Sequence, residues 1–126
     1  MLPRNLLPQI PNDKFDDFRE YMENNDISSK LIRLPGKYIK PIQSQLNKDK
    51  IKKIISGGEV SNPLIISYDN YLLDGHHRWA AELVKNINCK IICLQFNCPI
   101  TKLLELGHLF DGSFVRSISE ATIYIV

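Results

Sequence analysis

Five consecutive residues, Asp74-Gly75-His76-His77-Arg78, concentrate the chemistry available to this chain. Arg78 offers a planar fork of N–H donors that can grip a phosphate or carboxylate through two parallel bonds. His76 and His77 titrate near neutrality, so either can donate a hydrogen bond or a proton. Asp74 can orient a histidine, or bind a magnesium ion jointly with phosphates. Gly75 permits a sharp turn and the close approach of a ligand to the backbone. Positioning and charge neutralisation are what phosphoryl transfer asks of a protein. Asp74, His76 and His77 are therefore the catalytic candidates. Each has a plainer alternative, with Asp74 as a helix cap and Arg78 as the i, i+4 partner of Glu82. That alternative explains one such residue better than it explains five in a row.

The flanking residues say what must hold this cluster. Pro63-Leu64-Ile65-Ile66-Ser67 and Tyr71-Leu72-Leu73 read as strands, and the turn-rich Tyr68-Asp69-Asn70 between them predicts a hairpin. Downstream, Trp79, Ala80, Leu83 and Val84 recur at helical spacing, and this helix runs to about Asn86. The cluster thus sits where a strand passes through a glycine turn into a helix. Unpaired N–H groups and the helix dipole favour an anion there. Trp79 is expected to be buried beneath the cluster and to anchor the helix.

The remainder of the chain supplies a scaffold. With 126 residues, it suits one domain. Hydrophobic residues make up 44% and charged residues 24%, enough for a core and too balanced for global disorder. A net charge of +2 does not by itself predict nucleic-acid binding. The lysines at 48, 50, 52 and 53 cluster, and a solvated helix face explains them most simply. No apolar run reaches membrane-spanning length, and the N-terminus lacks the apolar core of a signal peptide. The odd cysteine count, Cys89, Cys93 and Cys98, fits a reduced cytoplasmic setting, with Cys89 and Cys93 buried on one strand face as small hydrophobes. No cysteine spacing of a zinc site occurs.

Residues 1–11, with Pro3, Pro8 and Pro11, read as an extended arm. A helix capped by Asn12 or Asp13 runs to Asn24 with Phe15, Phe18 and Met22 as its apolar stripe. The stripe is expected on the core, with a partner surface as the alternative. Lys30-Leu31-Ile32-Arg33-Leu34 alternates as a strand closed by Pro35-Gly36, which Tyr38-Ile39 could extend. After the polar loop 40–45, Asn47 caps a helix whose apolar side is Ile51, Ile54 and Ile55, stopped at Gly57-Gly58. A strand follows at 89–96. Pro99 opens a helix to about Leu106, with Ile100, Leu103 and Leu104 inward. Residues 121–126 have strand character.

Taken together, Pro63–Ser67 and Tyr71-Leu72-Leu73-Asp74-Gly75-His76-His77-Arg78-Trp79-Ala80-Ala81 resemble the ParB N-terminal domain/sulfiredoxin superfamily. Its hallmark is an apolar strand, a glycine, a basic or histidine-containing pair ending in arginine, and an alanine-rich helix. The similarity covers roughly residues 30–96. It implies an α+β fold, a small mixed β-sheet surrounded by helices. Here 1–29 would form an arm and helix, 30–96 the core, and 97–126 a C-terminal helix and tail. Where members bind a nucleotide, its phosphates lie at the start of the motif helix. The resemblance thus implies phosphate contacts from Gly75, His76, His77 and Arg78. Lys40-Pro41-Ile42-Gln43-Ser44-Gln45 falls where the family has its earlier loop, which makes Lys40, Gln43 and Gln45 nucleotide-binding candidates.

The Asp-Gly-His-His-Arg version is similar to that of the free-serine kinase branch, where the acid and histidines serve nucleotide and metal binding. On that basis the implied cofactors are ATP or another NTP, with Mg2+ held by Asp74 through the nucleotide. The reactive cysteine of sulfiredoxins is replaced by His76, so sulfinic acid reduction is not expected. The kinases carry a glutamate base in the earlier loop. Here Gln43 and Gln45 stand there, leaving Glu59 and Asp69 as candidate bases. There is no Walker-type loop, so any kinase chemistry would not be of the P-loop kind.

The leading expectation is a nucleotide-dependent enzyme, a phosphotransferase acting on a hydroxyl of a small molecule or of a modified base in DNA. The alternative is a non-catalytic ParB-like DNA-binding or adaptor module that kept the fold. A ParB-like nuclease ranks last, since few acids lie near Asp74. The expected partners are a nucleotide and, through the lysines, DNA, with no membrane.

Overall fold

The apolar runs on either side of Tyr68-Asp69-Asn70 pair as the hairpin expected of them. In the computed structural model, β2 (Leu64–Ile66) and β3 (Leu72–Asp74) are antiparallel, with a register shift between Ile65 and Ile66. Asn70 takes a left-handed conformation (φ 72°), which asparagine tolerates better than most residues. The structure describes residues 2–3, 6–44, 46–57 and 62–115. Gln45, the Gly58 helix stop, Glu59 and the strand expected at 121–126 lie outside the described residues.

Two longer strands complete a mixed four-stranded sheet. β1 (Ser29–Pro35) and β4 (Lys90–Phe96) pair antiparallel over seven residues, with Ile32 opposite Cys93, and β4 runs parallel to β2. The strand order is β1-β4-β2-β3. β2 is buried along its whole length, as expected of a strand with a parallel neighbour and cover on both faces. The helices are α1 (Phe15–Asn24), α2 (Lys48–Gly57), α3 (His76–Lys85) and α4 (Ile100–Leu109). The α+β class expected from the sequence is the class observed. No described helix is long and apolar enough to cross a membrane.

Strand alternation divides the core between the two faces. Ile65, Leu73, Leu94 and Phe96 face Phe18 and Met22 of α1 and Leu103 and Leu106 of α4. Leu64, Ile66, Leu72, Ile91 and Cys93 face the other way, where Trp79 of α3 packs against them. α2 packs on α3 rather than on the sheet. Ile51 and Ile54 are therefore only half-buried and Ile55 is exposed, which narrows the apolar side expected for α2. Asn47 caps α2 as expected, its side-chain oxygen accepting from the N–H groups of Asp49 (2.9 Å) and Lys50 (3.2 Å).

Other local details differ from the sequence reading. Residues 12–14 form a 3-10 turn, and α1 begins at Phe15 without a side-chain cap from Asn12 or Asp13. Gly36–Tyr38 is a 3-10 turn rather than a strand extension. A side chain at Gly36 would meet Cys89, Leu83 and Ile91, and Trp79 Nε1 donates to the Gly36 carbonyl at 2.9 Å. Trp79 is half-buried and anchors α3 through that bond as well as through its ring. Trp79→Ala should cost about 3 kcal/mol, the low end for removing a large aromatic. A thermal melt checks this, and an unchanged midpoint would contradict the anchoring role.

The N-terminal arm is more than an extended lead-in. Leu7 and Pro8 are fully buried, and Pro8 fills the space that Gly107 of α4 leaves open. Leu2 pairs with the loop at Ile42–Ser44, and Gln9 pairs with Phe114. All three cysteines are free; Cys93 and Cys98 are buried, whereas Cys89, expected to be buried on the same strand as Cys93, is half-buried just ahead of β4. Burial acts on the other two. It pushes the Cys93 and Cys98 thiols up to about 11, so both pack as protonated small hydrophobes.

Candidate functional site

The strand-to-helix turn is built around one backbone conformation. β3 ends at Asp74, Gly75 sits at φ +103°, and α3 begins at His76. A Cβ at residue 75 would lie 2.4 Å from a methyl of Leu64, which is itself 2% exposed. Only glycine meets both demands. The turn sets the start of α3 against a cleft of about 210 Å³. Asp74, Gly75, His76, His77 and Arg78 all line that cleft.

The two histidines use one ring nitrogen each to hold the loop that precedes α2. His76 Nε2 accepts from the backbone N–H groups of Ile42 (3.1 Å) and Gln43 (3.2 Å). His77 Nε2 accepts from the N–H of Asn47 at 2.8 Å. An imidazole nitrogen that accepts carries no proton, so His76 is neutral with its proton on Nδ1. Burial pushes its pKa down to about 3, and the neighbouring His77 adds to the depression. The pair ties Ile42, Gln43 and Asn47 to the helix start, and Gln43, 4% exposed, lines the cleft.

Asp74 and Arg78 are held from other directions. Asp74 Oδ2 accepts from the Ile10 N–H at 2.9 Å, which ties the arm to the motif. Arg78 Nη1 donates to the Asn62 carbonyl, just ahead of β2. Glu82 pairs with Lys85 at 3.5 Å.

The remaining site candidates separate from this cluster. Lys40 is exposed, its Nζ lying 4.8 Å from the centroid of the Tyr71 ring, and it does not line the cleft. Asp69 sits in the turn at the far end of the hairpin, where its carboxylate accepts from the Ser67 hydroxyl. Glu59 and Gln45 lie outside the described residues. Asp74 is accordingly the one carboxylate lining the cleft among the described residues. No group of three His, Cys, Asp or Glu that could hold a metal occurs among them.

Sequence reasoning gave no site role to Gln9, Asn12, Phe15, Ile54 and Asn62, which line the same cleft. Gln9 and Asn62 lie outside the helices and longer strands, with no periodicity or motif to mark them, and Asn12, read as a helix cap, opens the 3-10 turn. The arm's path over the sheet is what brings Gln9 and Asn12 to the motif.

No family model matches the chain, and no curated protein does. Among solved structures, the chain is similar to a Pnob8-like ParB-N domain, with a TM-score of 0.49 and 13% sequence identity. The match covers 65% of this chain and 35% of that one.

Proposed function

We propose that the cleft binds the phosphate end of a nucleotide at the start of α3. The observation that carries this reading is that Arg78 and the Gly75-turned helix start line the same cleft. A volume of about 210 Å³ is below the range of roughly 300–1,000 Å³ of pockets that enclose whole drug-sized ligands. It suits a phosphate-bearing end, with the rest of the molecule reaching the cleft mouth. Asp74 fits a magnesium ion that enters with the phosphates, since Mg2+ is commonly held by one or two carboxylates plus substrate oxygens. The metal would neutralise phosphate charge.

In this reading the residues divide their labour. Arg78 contacts the anion. His76, buried and neutral, positions the 42–43 loop, and His77 positions Asn47 and the start of α2. Phosphoryl transfer to a hydroxyl is the reaction for which these parts are suited, with Asp74 as the carboxylate nearest the phosphates. The test is calorimetric titration of ATP, CTP and GTP, with and without magnesium. Arg78→Lys should weaken binding about tenfold, because an ammonium cannot make the two-bond fork. Equal affinity in that variant would remove Arg78 from the site.

A second reading has one observation in its favour. Lys48, Lys52 and Lys53 are exposed on α2, the helix that also lends Ile54 to the cleft. A DNA-binding or adaptor role would use them on the phosphate backbone. A mobility shift that weakens with salt and survives Arg78→Ala would favour it.

A further inference from the structure

β1 is an edge of the sheet, and its outer side is unpaired among the described residues. Asn97 N–H donates to the Ser28 carbonyl (2.9 Å) and Gly36 N–H to the Cys89 carbonyl (3.0 Å), one bond beyond each end of the β1–β4 ladder. Antiparallel pairs alternate between bonded and non-bonded, so Lys30, Ile32 and Leu34 turn their backbone groups toward β4. Ser29, Leu31 and Arg33 turn theirs away from the sheet. We propose that this edge takes an acidic, extended segment of a partner protein as an added strand, with one of its carboxylate side chains seated in a cleft at the start of β1. The surface shares no residue with the cleft at Arg78 and does not depend on what binds there.

Charge decides the kind of partner. Lys30, Arg33, Lys37 and Lys90 are exposed on or beside β1, and no carboxylate pairs with any of them among the described residues. β1 and β4 contain no Asp or Glu. A second copy of β1 would bring two sets of Lys30 and Arg33 to one seam with no carboxylate on either strand, which disfavours self-pairing. An acidic strand meets the same groups with opposite charge. The two faces beside the edge also suit alternate side chains of such a strand. On one face, Leu31 (55% exposed) and Ile92 (42% exposed) leave apolar surface next to Arg33. On the other, Lys30 stands opposite Gln95, and Ser28, Lys30, Tyr68, Gln95 and Asn97 line a cleft of about 400 Å³. Hydroxyls, carboxamides and one ammonium fit a carboxylate better than an apolar side chain. Strand addition divides its labour in this way, with main-chain bonds giving affinity and side-chain pockets giving specificity.

The experiment follows the backbone amides of the full chain by NMR. In the free protein, the amides of Ser29, Leu31 and Arg33 should exchange with solvent at least about tenfold faster than those of Lys30, Ile32 and Leu34. The probe is the capped peptide Thr-Glu-Val-Val-Glu-Thr, whose glutamates fall opposite Arg33 and Lys30 when it runs antiparallel to β1. It should slow exchange at Ser29, Leu31 and Arg33 and shift the signals of Tyr68 and Asn97. The same peptide with lysines for glutamates should bind about tenfold more weakly, and Lys30→Glu combined with Arg33→Glu should reverse that order. Methylating the amide of the second valine, opposite Leu31, leaves the charge unchanged and should abolish binding. Equal binding of the methylated peptide would reduce the surface to a charged patch of the kind nucleic acid uses, and would overturn strand addition. Slow exchange at Ser29, Leu31 and Arg33 in the dilute free chain would show the edge already taken, and protection that grows with protein concentration would show a second copy there. Either result overturns the proposal, as does a peptide that shifts no β1 amide.

Discussion

His76→Ala should lose about 3–5 kcal/mol of stability, the largest single-residue effect expected in this protein. The ring of His76 is 3% exposed and satisfies two backbone donors, Ile42 N–H and Gln43 N–H. Its removal leaves both inside the protein without an acceptor, at about 1–3 kcal/mol each, and opens a cavity besides. The low end of the range applies if the loop shifts to recruit water. Denaturant unfolding measures the loss, and a cost below about 1 kcal/mol would mean that the loop does not depend on the staple.

The same residue sets a pH dependence. Its folded pKa of about 3 lies below the ordinary imidazole value of 6.5, so the unfolded chain takes up a proton that the folded chain refuses. The stabilisation is complete above pH 6.5 and is lost as the pH falls from there toward 3, at up to about 1.4 kcal/mol per unit. Between pH 7 and 5, where carboxylates still hold their charge, this amounts to roughly 2 kcal/mol. His76→Gln, which keeps an acceptor but does not titrate, should show a flatter profile across that window. Parallel profiles for the two proteins would contradict the assignment.

Gly75→Ala should cost roughly 2–4 kcal/mol, from the strained left-handed backbone and from the overlap with Leu64. Leu64 lies in the core and has little room to retreat, so the start of α3 must move instead. The melting temperature should fall by roughly 10 °C. In whatever fraction remains folded, the proposed nucleotide binding should weaken as well, because the start of α3 shifts relative to the cleft. A variant as stable as the wild type would mean that the turn tolerates a side chain and that its geometry is not fixed by packing.

Much of the scaffold was legible because its signals are local. The apolar runs at 64–66, 72–73 and 90–96, the Asn47 cap and the Phe18–Met22 stripe each depend on neighbours a few residues away. The strand–glycine–helix passage around Gly75 was legible for the same reason. The resemblance set the 40–45 loop beside the motif; the structure shows Ile42 and Gln43 bonded to His76, and His77 bonded to the α2 cap Asn47, which sequence had marked only as a cap. What could not be read depends on long-range contact. The prolines of the arm point to an extended lead because they break regular structure, yet Leu7 is buried and Pro8 packs against Gly107 of α4. That path is what brings Gln9 and Asn12 to the cleft. Asp69 was kept as a candidate base because it is only five residues from Asp74. A hairpin carries such residues to opposite ends of its strands, and Lys40 is drawn off by Tyr71 in a similar way.

Both histidines also look different in the folded chain. Adjacent residues at a helix start point in different directions, and a sequence does not say which one is buried. His76 and His77 read equally as proton donors to a ligand, but each has one nitrogen committed to a backbone N–H of the loop. Their contribution to the proposed site is therefore to place its walls, and direct contact with the anion falls to Arg78 and the helix start.

Amide chemical shifts recorded during titration with magnesium and a nucleoside triphosphate test the phosphate reading most directly. The account predicts that the largest changes fall on Gly75, His76, His77 and Arg78, and that Arg78→Ala abolishes them. Saturating nucleotide that leaves those four amides unmoved, or that shifts a surface remote from them, would contradict it.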